Sequence, residues 1–230
     1  EDDVAVVTQS GDINVYDPKN QLLLWGIPRN QTLDIAITDL NGDGSNALLA
    51  LATSEVAIYG SEQDTATLEN SLSTSVLATK LEEKGLLASD QSTRLANGQL
   101  RGLTTGDLDQ DGRQEVILFM PYNYEDSWII VLNDVLEPQS IALVKGIVLD
   151  VIVQNYGESH RNLLVRIADD SYHESHGQFI EIAPYSGLAI SRSPRILPMA
   201  RFNTMQYVDI EGDGISELSY GTYYSMNVTR

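Results

Sequence analysis

Asp107-Leu108-Asp109-Gln110-Asp111-Gly112-Arg113-Gln114-Glu115 decides how the rest of the chain is read. Its carboxylates fall at loop positions 1, 3, 5 and 9, and Gly112 stands at position 6, where the backbone must bend sharply. In a tight turn these alternate side chains aim at one point. Hard oxygen donors at this density select Ca2+, and less readily Mg2+. Without a cation the carboxylates repel one another, so the loop reads as built around a positive charge.

The pattern recurs. Asp39-Leu40-Asn41-Gly42-Asp43-Gly44-Ser45-Asn46-Ala47 repeats positions 1, 3, 5 and 6 but has Ala47 at position 9. Asp209-Ile210-Glu211-Gly212-Asp213-Gly214-Ile215-Ser216-Glu217 repeats all five. A worn copy, Gln154 to Asn162, keeps the register but loses most of the charge. Asp3, followed by Val4-Ala5-Val6-Val7, matches Glu115 followed by Val116-Ile117-Leu118-Phe119, so Asp3 reads as the ninth position of a fifth copy. On that reading residue 1 falls inside a repeat, and the chain is expected to be a mature fragment or an excised domain.

An EF-hand is the obvious rival. It requires a bidentate Glu at position 12 and helices on both sides. Position 12 is Ala50, Leu118 or Tyr220, and the flanks are apolar runs of strand length: Ile35 to Thr38 before the first loop, Glu115 to Phe119 after the second, Asn162 to Ile167 after the worn copy. Each loop therefore joins two strands. The first positions lie 68, 47 and 55 residues apart. Periods of this size mean a solenoid or propeller, and a four-stranded propeller blade takes roughly 40–50 residues.

This unit of strand, nine-residue Asp-rich loop and strand resembles the FG-GAP or VCBS repeats, which form calcium-binding β-propeller blades such as those of the integrin α subunits. The resemblance spans nearly the whole chain. It implies an all-β fold, a β-propeller or part of one with four-stranded blades, as one domain over residues 1–230. It also implies calcium ligands at positions 1, 3, 5 and 9 and a backbone carbonyl at position 7. Carried over, these are Asp107, Asp109, Asp111, Arg113 and Glu115 in one loop, and Asp209, Glu211, Asp213, Ile215 and Glu217 in another. The first loop supplies Asp39, Asn41, Asp43 and Ser45; Ala47 departs from the pattern, so that site is expected to be weaker. No ion is expected at Gln154–Asn162.

Composition narrows the partners. The 230 residues carry 14 Lys and Arg against 33 Asp and Glu, a net charge of −19. Phosphate binding needs clustered cations, so nucleic acid is excluded as a partner. Three Ca2+ ions would cancel six of the 19 charges and leave an acidic surface. There is no Cys, hence no disulfide framework, thiolate nucleophile or Cys-based zinc site. No apolar run approaches the ~20 residues of a membrane span. The sequons at Asn30 and Asn227 are of a kind common by chance.

One interval is long because residues 64–97 hold an insertion. Leu68, Leu72, Val76 and Leu81 recur near helical spacing from Asp64 to Lys84, Gly85 stops that helix, and 89–96 form a second. A helical hairpin packed on one blade is the plain reading, and a partner-docking element the sharper one. His173 and His176 read as a solvated loop, since their spacing is not that of a zinc-binding HExxH helix; with His160 nearby, a weak transition-metal site is the alternative. Tyr122, Tyr124, Tyr220, Tyr223 and Tyr224 cluster after loops. They read as sheet packing or, alternatively, as a rim contacting carbohydrate or protein.

Acid–base catalysis needs two carboxyls in different environments, whereas these acids crowd at shared points. The expected function is a non-catalytic, calcium-stabilised binding or adhesion module of a larger secreted or cell-surface protein, with a protein or glycan ligand on a propeller face. The setting would be extracellular, cell-surface or periplasmic. The alternative is an accessory or catalytic domain of a secreted polysaccharide-degrading enzyme.

Overall fold

A computed structural model describes residues 4–17, 19–29, 31–62, 65–156, 160–168, 177–183, 189–196, 202–208, 217–222 and 226–229. Its strands form five antiparallel sheets, taken in chain order as meanders. The first sheet holds β1 (Val4–Val7), β2 (Ile13–Asp17) and β3 (Leu22–Ile27). The second holds β4 (Thr32–Thr38), β5 (Ala47–Ala52), β6 (Glu55–Glu62) and β7 (Thr65–Ser73). Two helices follow, α1 (Thr74–Glu83) and α2 (Ser89–Ala96). The third sheet is β8 (Gly102–Gly106), β9 (Glu115–Pro121), β10 (Asp126–Leu132) and β11 (Pro138–Lys145). The fourth is β12 (Ile147–Tyr156), β13 (His160–Ala168), β14 (Gly177–Ala183) and β15 (Ala189–Ile196). The fifth is β16 (Phe202–Val208), β17 (Glu217–Thr222) and β18 (Met226–Thr229).

The first strands β4, β8, β12 and β16 touch one another in succession, which is how the blades of a β-propeller meet along their inner strands. Apolar runs of strand length follow the loops because the middle strands are covered on both faces. Glu115 through Met120 of β9 and Ser127 through Leu132 of β10 are all buried. One face, with Ile117, Phe119, Ile129 and Val131, packs on Val148, Val151, Leu163 and Val165 of the fourth sheet. The other, with Val116, Leu118, Met120, Trp128 and Ile130, packs on Leu49, Leu51, Val56 and Ile58 of the second sheet.

β1 stands at the edge of its sheet and lies against β4. A short turn, held by Thr8 N to Asp12 O at 2.8 Å, joins it to β2, as short turns join β5 to β6 and β9 to β10. It also begins directly after Asp3, as β9 begins at Glu115. Asp3, expected as the ninth position of a fifth copy, lies outside the described residues.

The insertion differs from its sequence expectation. Residues 65–73 are the fourth strand of the second blade, not the start of a helix. Leu68 and Leu72, four apart, would share one face of either a helix or a regular strand. A bulge at Glu69, opposite Ile58 and Tyr59, instead turns Leu68 outward while Leu72 is buried. Ser73 then caps α1, its Oγ accepting the Val76 N–H at 3.3 Å, and Gly85 ends it at φ +69°.

Both helices are core rather than a detached docking arm. Leu77, Ala78 and Leu81 of α1 and Leu95 of α2 fill the seam between the second and third blades. Lys80 pairs with Glu137, and Lys84 Nζ donates to Pro138 O at 2.7 Å, fastening α1 to β11.

Half-buried carboxylates also line the inner strands. Asp34 of β4 accepts the Ile35 N–H at 3.0 Å and, across the blade boundary, the Leu103 N–H at 3.1 Å. Burial raises its pKa, and those two N–H groups only partly offset the rise. Asp150 of β12 is raised in the same way, against the opposing charge of Arg166.

Two outcomes follow from this packing. Leu81→Ala is expected to cost about 2–5 kcal/mol, and exposed Val76→Ala under about 0.5 kcal/mol, in urea unfolding at unchanged m. Equal losses would mean that α1 is not part of the core. For Asp34, a folded-state pKa above the usual 3.8 means that the fold favours the protonated form. Its contribution is fully present below the unfolded pKa and is lost as pH rises through the folded one. Asp34→Asn has no charge to desolvate, so its stability relative to wild type should increase with pH across that window, measured by urea unfolding at a series of pH values.

Candidate metal centre

The Asp-rich loops sit at the ends of the first strands, β4–β5 for residues 39–46 and β8–β9 for residues 107–114. Each is anchored by the apolar residue at position 2: Leu40 and Leu108 are buried in the seams between blades. Positions 4 and 6 are left-handed in both, with φ of +74° and +88° at Gly42 and Gly44, and +64° and +89° at Gln110 and Gly112. Two stretches of different sequence thus share one backbone path. They also touch: Gln114 N donates to Leu40 O at 2.9 Å, and a Cβ on Gly42 would lie 2.6 Å from Gly112 O.

In the 107–115 loop, ligand oxygens of Asp107, Asp109 and Glu115 lie within 4.8 Å of one another. Asp107 and Glu115 are buried at the base, while Asp109 is exposed at the rim. Backbone N–H groups orient the carboxylates: Leu108 N donates to Glu115 Oε2 at 2.6 Å, Asp111 N to Asp109 Oδ1 at 3.1 Å, and Gly112 N to Asp107 Oδ2 at 3.3 Å. Asp111 is outside the convergent trio and accepts the Arg113 N–H at 2.8 Å. The Arg113 side chain reaches Asp134 at 3.0 Å. Burial raises the pKa of Glu115; the Leu108 N–H opposes this, and the charges of Asp109, Asp111 and Asp107 push it further up. A divalent cation among these oxygens would reverse that repulsion, so the donor set fits a hard metal ion.

The 39–47 loop is poorer in carboxylates. Asp39 accepts Asp43 N at 3.1 Å and Gly44 N at 2.9 Å, and Asp43 accepts Ser45 N at 2.7 Å. The Asn41 amide, donating to Asp43 at 2.9 Å, holds the Asp43 carboxyl below its usual range, helped by Ser45. Where Ala47 leaves the ninth position without a carboxylate, a cavity of about 530 Å³ opens, lined in part by Asn41, Asp43, Ala47, Gly60 and Glu69. The Glu69 side chain lies across Gly60, in space that any Cβ there would fill. Glu69 escaped the sequence reading because it comes from the outer strand, 22 residues beyond Ala47; the bulge that presents it has no local signature.

The other expected ligands are less informative. Asp209, Glu211, Asp213 and Ile215 lie outside the described residues; Glu217 begins β17, as Glu115 begins β9. In the worn copy strand pairing continues through Gln154–Asn162, Asn155–Arg161 and Tyr156–His160, so the chain there is a hairpin ladder rather than an open loop. His173 and His176 also lie outside the described residues.

No family model matches the sequence, and no curated protein does. Solved structures do. BBS1N in complex with ARL6DN, from a crystal soaked with lead, superposes with a TM-score of 0.58 at 11% identity, over 99% of this chain and 74% of that one. The same complex soaked with mercury gives 0.54 at 13%, over 98% and 74%. The WD40 domain of SCAP from fission yeast gives 0.45 at 12% over 97% of this chain, which spans 46% of that chain. Identities this low speak for the fold alone; the two BBS1N superpositions and the sheet order define the class: a β-propeller, or a large part of one.

Loop geometry makes a direct test possible. Gly42→Ala meets both left-handed strain and Gly112 O, whereas Gly44→Ala meets only the strain. The second should cost about 1–2 kcal/mol, and the first clearly more, in denaturant unfolding. A reversed order would show that the two loops do not abut.

Proposed function

We propose that this chain is a calcium-stabilised β-propeller that serves as a protein-binding module. The observation that carries the calcium reading is the convergence of Asp107, Asp109 and Glu115 on a loop whose backbone path is duplicated at residues 39–47. Bound Ca2+ would supply positive charge and coordination to the inner ends of two blades. Asp107 and Glu115 would hold it from the buried side, Asp109 from the rim, and Asp111 would steer the turn through Arg113 N. At residues 39–47 Asp39, Asn41 and Asp43 would form a weaker site. Glu211, Asp213 and Glu217 continue the pattern in sequence.

Because the oxygens gather only in the folded chain, calcium binding would add to stability. The resemblance to calcium-binding propeller repeats carries with it an extracellular, cell-surface or periplasmic setting. Support for a protein partner comes from the propeller-like neighbour BBS1N, solved in complex with ARL6DN.

Calcium is expected to raise the melting temperature over that in chelator, by about 2.7 kcal/mol of stability per site at a hundredfold excess over Kd. Asp109→Asn, which is exposed and isosteric, should shrink that response while leaving the chelated protein unchanged or slightly more stable. Identical melting curves with calcium, with magnesium and with chelator would overturn the reading.

A further inference from the structure

The far end of the third blade holds a second site of different character. A cavity of about 480 Å³ lies between the third and fourth blades, lined by Arg101, Phe119, Tyr122, Tyr124 and Ile147 to Leu149. Arg101 precedes β8 and the acidic loop follows it, so the two sites sit at opposite ends of that strand. Phe119 forms one wall because Gly102 has no Cβ to displace its ring. Tyr122 packs at 4.5 Å, tilted, on buried Trp128, and Arg94 lies 5.0 Å above the Tyr122 ring. Tyr124 is 76% exposed. An aromatic ring that open, beside a cavity of mixed polar and apolar lining, has not been spent on sheet packing.

The charge is the second anomaly. The chain carries more than twice as many acids as bases. Arg29, Lys80, Lys84 and Arg113 each have a carboxylate within 4.0 Å. Arg101 is exposed and has no ion pair among the described residues; only its backbone is engaged, by Phe119 O at 2.9 Å. Of the acids in the adjoining turn, Asp126 takes the Asn123 amide at 2.8 Å and stands opposite Lys145 in the strand register, while Glu125 is exposed and is held there by its backbone. A guanidinium left free in so acidic a chain, at the mouth of an aromatic cavity, is complementary to an apolar group flanked by a carboxylate.

We propose that this cavity docks an acidic peptide segment of a partner protein. An aliphatic or aromatic side chain enters between Phe119 and Tyr124, and a neighbouring carboxylate pairs with Arg101. The inference rests on the protein-binding part of the reading above and is independent of calcium.

Trp128 touches Tyr122 and reports occupancy by fluorescence in a Trp25→Phe background with calcium present. The probes are acetylated pentapeptides of one Leu or Phe flanked by glutamates, their glutamine counterparts, and an oligogalacturonate. The expected result is saturable quenching or enhancement by the glutamate peptides, weakened by salt. Arg101→Gln should weaken it about tenfold or more, and Tyr124→Ala should also reduce it, both with an unchanged melting temperature. No response to any peptide, equal binding of the glutamine forms, indifference to Arg101→Gln, or a response to the oligogalacturonate alone would each overturn the proposal. The calcium reading is judged by melting temperature, so the two can fail separately.

Discussion

A small sheet with apolar side chains on both faces cannot stand alone in water, and everything else in this protein depends on how that constraint is met. β9 and β10 show it most clearly: Val116, Leu118 and Met120 face one neighbour, Ile117 and Phe119 the other. A strand that is half-buried reads as alternating; one sandwiched between blades reads as a continuous apolar run. Stacking sheet on sheet removes both faces from water and fixes the inner strands side by side. The seam between the second and third blades is wide enough to take two helices, whose leucines complete it.

The acidic loops are positioned by this packing and not the reverse. Leu40 and Leu108 plug into the seams, so the carboxylates that flank them are carried to defined points. Each turn then satisfies its own backbone N–H groups with aspartate oxygens, which is why positions 1, 3 and 5 are oxygen-bearing even where Asn41 replaces an acid. What that turn chemistry does not explain is Glu115, a carboxylate buried beside three others at an electrostatic cost. The cation proposed above would relieve it.

The two ends of the third blade thus differ in sign and in purpose. One gathers anionic oxygen around a point; the other leaves an arginine and two tyrosines around a cavity. Both are products of where β8 begins and ends. Five residues of strand, Gly102 to Gly106, separate Arg101 from Asp107.

Local chemistry was legible in the chain itself. The spacing of Asp107, Asp109, Asp111, Gly112 and Glu115 identified a ligand-like loop, its recurrence at Asp39 marked a repeat, and the apolar runs after each loop marked strands. These are short-range features, set by a few consecutive residues. The resemblance added the propeller, because the period alone left a solenoid open. Three things were decided only in three dimensions. The bulge at Glu69 turned an apparent helical spacing into a strand and carried a carboxylate toward the cavity beside Ala47. The convergence of Asp107, Asp109 and Glu115, without Asp111, depended on the path of the turn and on the return of β9, which pairs Glu115 with Gly106 and so sets position 9 beside position 1. Arg101 met Tyr122 and Tyr124 because β8 and β9 pair antiparallel, an encounter between residues some 20 apart that no local pattern encodes.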